Sequence, residues 1–569
     1  MTDTARLLHQ HSFIELGARQ RAKALLDPGS FRELVDPFQR VMSPWLERQG
    51  VVPQADDGAV IAKGTVGGRP VVLAAIEGAF QGGSLGEVSG AKIAGALELA
   101  AEDNRNGIPT AAILLLETGG VRLQEANLGL AAIADIHAAI VDLRQYQPVI
   151  GVVAGSVGCF GGMSIAAGLC SHLIVTREAR LGLNGPQVIE QEAGIAEYDS
   201  RDRPFIWSLT GGEQRFASGL ADDYVVDDAV EIGQRVRECL EQGAPKRVRS
   251  QQHEEYLARL AAVDTEVQIT AQAVRDLYTA ARASNASDLP RRNLSELRPV
   301  PQNAGHSRGA TWFQALAGTA TQAAGLPASV LVADGHLNHH PTRYLAIIPD
   351  PANPFPRARQ GEVGLLEGWG LAKAVDEAIE ADREASEKRV LVAIVDVPSQ
   401  AYGRREEALG IHQALAGAAD AYARARLAGH PVIALLVGKA MSGAFLAHGY
   451  QANRLIALRD PGVQVHAMGK ASAARVTQRS VEALEALAAS VPPMAYDIDS
   501  YASLGLLWET LSVAQIEQPG GDDLARVQAC LGQALADIAQ GGRDLSGRLG
   551  APNRAASARV RQLLREQWQ

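Results

Sequence analysis

Apolar positions along this chain gather into short β-branched runs, each closed by a glycine turn and followed by a stretch of small residues. Residues 148–176, PVIGVVAGSVGCFGGMSIAAGLCSHLIVT, show the pattern most fully. VIGVVAG is a continuous apolar run that predicts a buried strand. SVGCFGGM is too rich in glycine for the interior of a strand or helix, and SIAAGLC suits a closely packed helix. A strand, a glycine turn and a helix start leave consecutive backbone N–H groups, at Gly161 and Gly162 or a neighbour, where an anionic oxygen can sit. A plain packing turn is the alternative. The pattern recurs at 431–458, PVIALLVGKAMSGAFLAHGYQANRLIAL, with Ser442-Gly443-Ala444 in the place of the glycine turn.

Taken in order, residues 1–50 predict amphipathic helices, with Asp27-Pro28-Gly29 as the turn that ends one of them. Gly67-Gly68-Arg69 joins two strands as a hairpin, and AKIAGALELAAEDN predicts a helix. AAILLLETGG is a buried strand ending at Gly119-Gly120, with Arg122 and Glu125 near the start of the next helix. Asn184-Gly185-Pro186 opens a further strand-loop-helix unit, and Arg215–Val226 passes from helix to strand. Such units suggest a spiral of ββα repeats, and the GxGxxG of a simple Rossmann sheet is missing. Residues 284–308 are polar, proline-rich and without period, as in an interdomain linker. Beyond them LVAIVDVPSQ stands where AAILLLETGG stood, so the second half is a diverged copy. The expected domains are 1–283 and 309–569.

At 569 residues two domains or more are expected. A net charge of -10 argues against a nucleic-acid partner. No 18-residue apolar run is free of polar residues, so no membrane span is expected, and the first residues lack the apolar core of a signal peptide. Cys159, Cys170, Cys239 and Cys530 form no CxxC pair, which points to a reducing cytoplasm with no zinc or disulfide framework.

Several residues could carry chemistry. Gly82-Gly83-Ser84-Leu85-Gly86 matches the GxSxG nucleophile elbow, but without a dependable Asp and His set a ligand-facing loop is favoured for Ser84. His336, His339 and His340 crowd into HLNHH, where a loop or pocket-edge role is preferred to a metal site. Cys159 suits a small core residue better than a nucleophile. Gly119, Gly120, Gly158, Gln187 and Gln400 are candidate substrate-binding positions, and Tyr402 and His412 candidate proton donors. The basic stretch 245–250 and the arginine-rich tail from Arg548 to Arg565 are either solvated helix faces or a docking surface for an acidic or phosphate-bearing partner.

LLDPGSFRELVDPF, GGSLGEVSGAKI, ETGGVRLQE, GCFGGM and NGPQVI, in this order, resemble the carboxyltransferase family that acts on acyl thioesters. Within it the first half is similar to the β-type and the second to the γ-type part of biotin-independent malonate decarboxylases. The resemblance implies an α/β fold of two crotonase-like (ClpP/crotonase spiral, ββα-repeat) carboxyltransferase-type domains that face one another. It implies decarboxylation of a malonyl thioester through an enolate, with Gly161 and Gly162 holding the thioester oxygen and Ser442, Gly443 and Ala444 facing the departing carboxylate. No covalently bound cofactor and no metal are implied. The substrate would ride on the phosphoribosyl-dephospho-CoA arm of an acyl carrier protein, or on CoA. Implied partners are the acyl carrier protein and acyl-carrier transferase subunits, in a homo-oligomer, with no nucleic acid and no membrane. Met441-Ser442-Gly443-Ala444 departs from the glycine pair after an aromatic that biotin-dependent relatives carry at this turn. Biotin-dependent carboxyl transfer, or a non-catalytic scaffold for acyl carriers, are the competing expectations.

Overall fold

The computed structural model describes residues 10–283, 307–318 and 325–569. Among the described residues before position 50, α-helix is confined to α1 (Ala18–Leu25); Arg32–Leu34 is instead strand β1. The expectation of helices throughout this region fails because Leu34 gains a buried place opposite Ile61 on the sheet. The Asp27 turn has a second use. Its carboxylate accepts from Thr65 Oγ1 at 2.7 Å and from the N–H groups of Gly67 and Gly68 at 3.0 and 2.9 Å, which ties down the predicted hairpin.

That hairpin joins β2 (Ala59–Val66) to β3 (Arg69–Ile76). There follow α2 (Glu87–Arg105), β4 (Ala111–Leu115), α3 (Ala126–Leu143), β5 (Val149–Val153), α4 (Gly162–Leu169), β6 (His172–Thr176), α5 (Pro186–Ala193), β7 (Asp223–Val225) and α6 (His253–Ala261). The sheet runs in order β1 to β7, antiparallel over its first three strands and parallel after β3. Strands β4, β5 and β6 are buried along their whole length, as their unbroken apolar runs require.

The second half repeats this plan. A hairpin of β8 (Val330–Leu337) and β9 (His340–Ile347) leads through α7 (Leu365–Ala381), β10 (Val390–Val397), α8 (Ile411–Leu427), β11 (Val432–Met441), α9 (Ser442–Ala447), β12 (Arg454–Leu458), β13 (Gln464–His466) and β14 (Glu509–Leu511) to α10 (Ala555–Glu566). Strands β9, β10, β11, β12 and β14 pair in parallel, and β13 lies on the end of β11. The correspondence reaches single residues. Gly86 and Gly364, the N-caps of α2 and α7, share φ -107° and ψ within a degree of each other. The expected linker falls on residues outside those described, except Ser307 and Arg308.

The halves meet through one buried helical layer in which α3 and α4 pack on α8. Small residues permit the approach: a Cβ on Gly168 would lie 2.8 Å from the Ala416 Cβ. The 21 residues from Leu123 to Leu143 are long and apolar enough to cross a membrane, but 89% of their most apolar 18-residue window is buried inside the protein. The exchange is also reciprocal. Tyr256 of α6 stacks on Trp369 of α7 at 4.4 Å, while α10, from the end of the chain, packs on α2 of the first half.

The arginine-rich tail is therefore no free basic surface. Arg554 pairs with Asp135 at 2.6 Å and Arg561 with Glu98 at 2.8 Å, Arg565 reaches Glu102, and buried Arg548 donates to the carbonyls of Tyr450 and Ala452. In the 245–250 stretch, Arg249 is buried beside Asp222. The tail fastens the second half to the first. Asp135→Ala would leave the buried Arg554 guanidinium without its carboxylate, while Arg561 would keep Glu98. The expected loss is about 3–5 kcal/mol, read by chemical denaturation of the full chain, and Glu102→Ala, at the exposed Arg565 pair, should change stability far less.

Candidate active site

The turn after β5 is shaped by a carboxylate from the neighbouring strand end. Glu117 accepts the N–H groups of Val157 and Gly158 at 2.9 and 3.3 Å and pairs with Arg21 at 2.9 Å. Asp396 does the same in the second half, accepting from Lys439 N–H at 3.1 Å. Gly161 then caps α4 at φ 59° and ψ -148°, a conformation open to glycine. Its N–H donates to the Leu183 carbonyl at 2.9 Å, so it is not free for a ligand. The expected pair of donors moves on by one residue: Gly162 and Met163 open the helix, where N–H groups have no acceptor within the helix. His137 Nε2 holds the Gly162 carbonyl at 2.8 Å, and complete burial lowers that imidazole to about 4, so it donates as a neutral ring.

The second turn shares one left-handed φ with the first and has different chemistry. Ser442 has φ 54°, matching Gly161, and its Oγ donates to the Ala467 carbonyl. Gly443 N–H donates to Gln400 Oε1 at 3.1 Å. A third loop, 182–184 of the first half, reaches across to both. The carboxylate of Glu407, in the short helix Arg404–Ala408, accepts from Leu183 N–H at 3.1 Å and Asn184 N–H at 2.6 Å, with the Arg215 guanidinium 3.8 Å away. Burial pushes the Glu407 carboxyl up to about 7, and Arg215 and the two N–H groups pull the other way. Asn184 Nδ2 donates to the Ala401 carbonyl at 3.0 Å, and Gln400 Nε2 to Asn184 Oδ1 at 2.8 Å.

Between these turns lies a cavity of about 850 Å³. Gly119, Phe160, Gly161, Gly162, Arg180, Leu183, Asn184 and Gln187 line it from the first half, and Gln400, Tyr402, Ser442, Gly443, Leu446 and Met468 from the second.

Residues 9–272 match the family model for the carboxyl transferase domain, and 358–568 that for the malonate decarboxylase gamma subunit. Over 233 residues the chain is 39% identical to the malonyl-S-ACP:biotin-protein carboxyltransferase MADC of Malonomonas rubra, which covers 39% of this chain and 73% of that protein. The companion protein MADD of the same organism is 40% identical over 154 residues, 26% of this chain and 53% of its own length. A crystal structure of a Pseudomonas malonate decarboxylase hetero-tetramer in complex with malonate contains a chain 75% identical to this one. That alignment covers 48% of this chain and all of the Pseudomonas chain, with a TM-score of 0.48. The chain belongs to the malonate decarboxylase family, with β-type and γ-type parts fused.

Among the residues expected in a malonate decarboxylase site, Gly119, Gly161, Gly162, Gln187, Gln400, Tyr402, Ser442 and Gly443 share the wall of this one cavity. Four expected residues lie off it. Gly120 packs against Gly161, where an added Cβ would come within 3.1 Å of the Gly161 Cα, and Gly158 fits beneath the Arg180 carbonyl. Ala444 is buried inside α9. His412 is corrected as a proton donor: it sits in the interior of α8, where burial and the nearby Arg215 and Arg249 keep its ring neutral. Ser84 lines the cavity as a loop residue, its Oγ donating to the Gln81 carbonyl at 2.7 Å. Cys159 is core, and burial raises its thiol well above the usual range. The histidines of HLNHH flank the β8–β9 hairpin, where His340 pairs with Glu387. Among the described residues no group of three His, Cys, Asp or Glu side chains could hold a metal. The sequence offered no signal for Glu407, which in RREEALG looks like any charge on a helix face.

A side chain at Gly162 would meet Leu446 Cδ1 at 2.7 Å and Ile133 Cγ2 at 2.8 Å, so Gly162→Val would wedge the halves apart as well as disturb the donor. Gly161→Ala is the cleaner probe. Its Cβ meets the Gly120 Cα at 3.2 Å in a backbone that favours glycine, which tilts the Gly162 N–H. Turnover should fall on the order of 10²–10³ while the strain costs only about 1–3 kcal/mol of stability, both measured on the same preparation.

Proposed function

We propose that the fused chain decarboxylates a malonyl thioester, releasing CO2 and leaving the acetyl thioester. What supports this is the arrangement of two equivalent turns, one from each half, on the wall of a single cavity. A free carboxylate is a poor sink for the electrons that CO2 leaves behind. A thioester takes them up as an enolate when fixed donors meet its oxygen, and one such donor is worth roughly 3–4 kcal/mol of barrier. In this reading the Gly162 N–H, with Met163 beside it, receives the thioester oxygen. The carboxylate points toward Ser442, Gly443 and Gln400, at right angles to the thioester plane. Leu130, Leu446 and Met468 give the chamber apolar walls that withhold the solvation stabilising the carboxylate.

The thioester is carried on the phosphoribosyl-dephospho-CoA arm of an acyl carrier protein, or on CoA, with Gly119 and Gln187 beside it. The acyl carrier protein and acyl-carrier transferase subunits are the partners of a cytoplasmic homo-oligomer of this chain, and its domains are 1–283 and 309–569. The names of the Malonomonas relatives favour a second reading, transfer of the carboxyl group to a biotin protein. Purified chain given malonyl-CoA or the malonyl carrier, with no biotin present, separates the two. Decarboxylation predicts CO2 release at a rate that avidin does not change. Turnover that requires an added biotin protein, or that avidin stops, would favour transfer.

A further inference from the structure

Glu407 lies behind the chamber, yet both of its carboxylate oxygens hold residues that stand on the chamber wall. One oxygen accepts from the Leu183 N–H at 3.1 Å and the other from the Asn184 N–H at 2.6 Å. The fit is close, since a Cβ on Gly182 would lie 2.7 Å from the first of these oxygens. Arg215 completes the arrangement from the short helix Gly212–Ala217. Its guanidinium donates to the Leu181 carbonyl at 2.7 Å and to the backbone carbonyl of Glu407 at 2.8 Å, so it clasps both loops at once. Its Nη2 is buried with no hydrogen bond among the described residues and lies 3.8 Å from the Glu407 carboxylate. A fully buried cation so placed needs an anion beside it.

We propose that Glu407 is a positioning residue for the decarboxylation, and that it sets the backbone donors of both turns only while it is ionised. The proposal rests on the decarboxylation reading and adds the group that assembles its site. Each of the two N–H groups takes one oxygen of the carboxylate. A protonated carboxyl carries a donor on one oxygen, so one of the two N–H groups then loses its partner. The loss travels to each turn through a single residue. The Leu183 carbonyl accepts the Gly161 N–H at 2.9 Å, which orients the peptide leading into Gly162. Asn184 Oδ1 accepts from Gln400 Nε2 at 2.8 Å, and Gln400 Oε1 from the Gly443 N–H at 3.1 Å. The charged and titratable groups that face the carboxylate are Arg215 and Tyr198, and burial keeps Tyr198 protonated. Glu406, beside it in the same helix, faces Glu197, Arg357 and Arg405 instead, and His412 of α8 stays a neutral ring. Burial carries the Glu407 carboxyl up to about 7 against the pull of Arg215 and the two N–H groups, so its ionised form is lost as pH falls through neutrality.

The test follows the unaltered chain and Glu407→Gln between about pH 8 and about pH 6, a range that takes a group of this pKa from roughly nine-tenths ionised to roughly one-tenth. In the unaltered chain kcat for a malonyl thioester should fall nearly tenfold (~) as pH is lowered, while KM moves less than about threefold. Over the same range the Leu183 and Asn184 amides should lose protection from hydrogen exchange, once intrinsic exchange rates are divided out. Glu407→Gln keeps the shape of the side chain and one acceptor but not the charge. Its kcat should lie on the order of 10² below the parent at the upper pH and stay level as pH falls, with acetyl-CoA affinity held within about threefold. Glu407→Gln with the parent's turnover, or with the parent's fall at low pH, would overturn the proposal. So would Leu183 and Asn184 amides whose protection in the unaltered chain ignores pH, a measurement that needs no variant to fold. A parent chain that releases no CO2 at any pH would overturn the decarboxylation reading, whereas one that releases CO2 with unmoved amide protection would overturn the role of Glu407 alone, so the two failures are told apart.

Discussion

One buried carboxylate decides how the two halves meet. Glu407 belongs to the second half, yet its two oxygens are taken by the N–H groups of Leu183 and Asn184 from the first. Removing those bonds would leave a charge in the interior with a single guanidinium for company, a costly state for any buried carboxylate. The loop it holds has consequences on both sides. The Leu183 carbonyl takes the Gly161 N–H, which leaves Gly162 to lead the first turn. Asn184 holds Gln400, and Gln400 holds the Gly443 N–H of the second turn. A single ion-pair network thus sets which backbone donors are free in the cavity.

The repeat explains why such a network can exist. Two copies of the same strand-turn-helix plan place a left-handed φ at the same point of each turn, and facing them across a helical layer creates one chamber between two walls. Divergence then divides the work. Gly161 and Gly162 leave the first turn without side chains at the cavity wall, while Ser442 in the second turn and Tyr402 beside it carry hydroxyls. Each half also lends a helix to the other, α6 to α7 and α10 to α2, so neither completes its own surface alone.

Much of this was legible in the chain. The recurring strand-turn-helix pattern identified the repeat, and eight of the expected positions, from Gly119 to Gly443, line one cavity because strand ends of an α/β fold converge there. What the sequence hides is the assignment of hydrogen bonds. Gly161 looked like a donor to substrate, but its acceptor, the Leu183 carbonyl, comes from a loop that only tertiary structure brings near. Glu407 lies 223 residues from Asn184, a separation that no local pattern spans. The tail arginines show the same limit: counting positive charges reveals nothing of the acids on α2 and α3 that neutralise them. Strand β1 was missed because three residues hold too little periodicity to outweigh a helical neighbourhood.

The central claim is that one chamber between the halves binds the acyl oxygen on the first and the carboxylate toward the second. A crystal structure of this chain with a non-reactive malonyl-CoA analogue measures it directly. The account predicts the acyl oxygen within about 3.2 Å of the Gly162 nitrogen, with the carboxylate beside Ser442 and Tyr402. An analogue bound outside this cavity, or bound in it with its carboxylate on the Gly162 N–H, would contradict it.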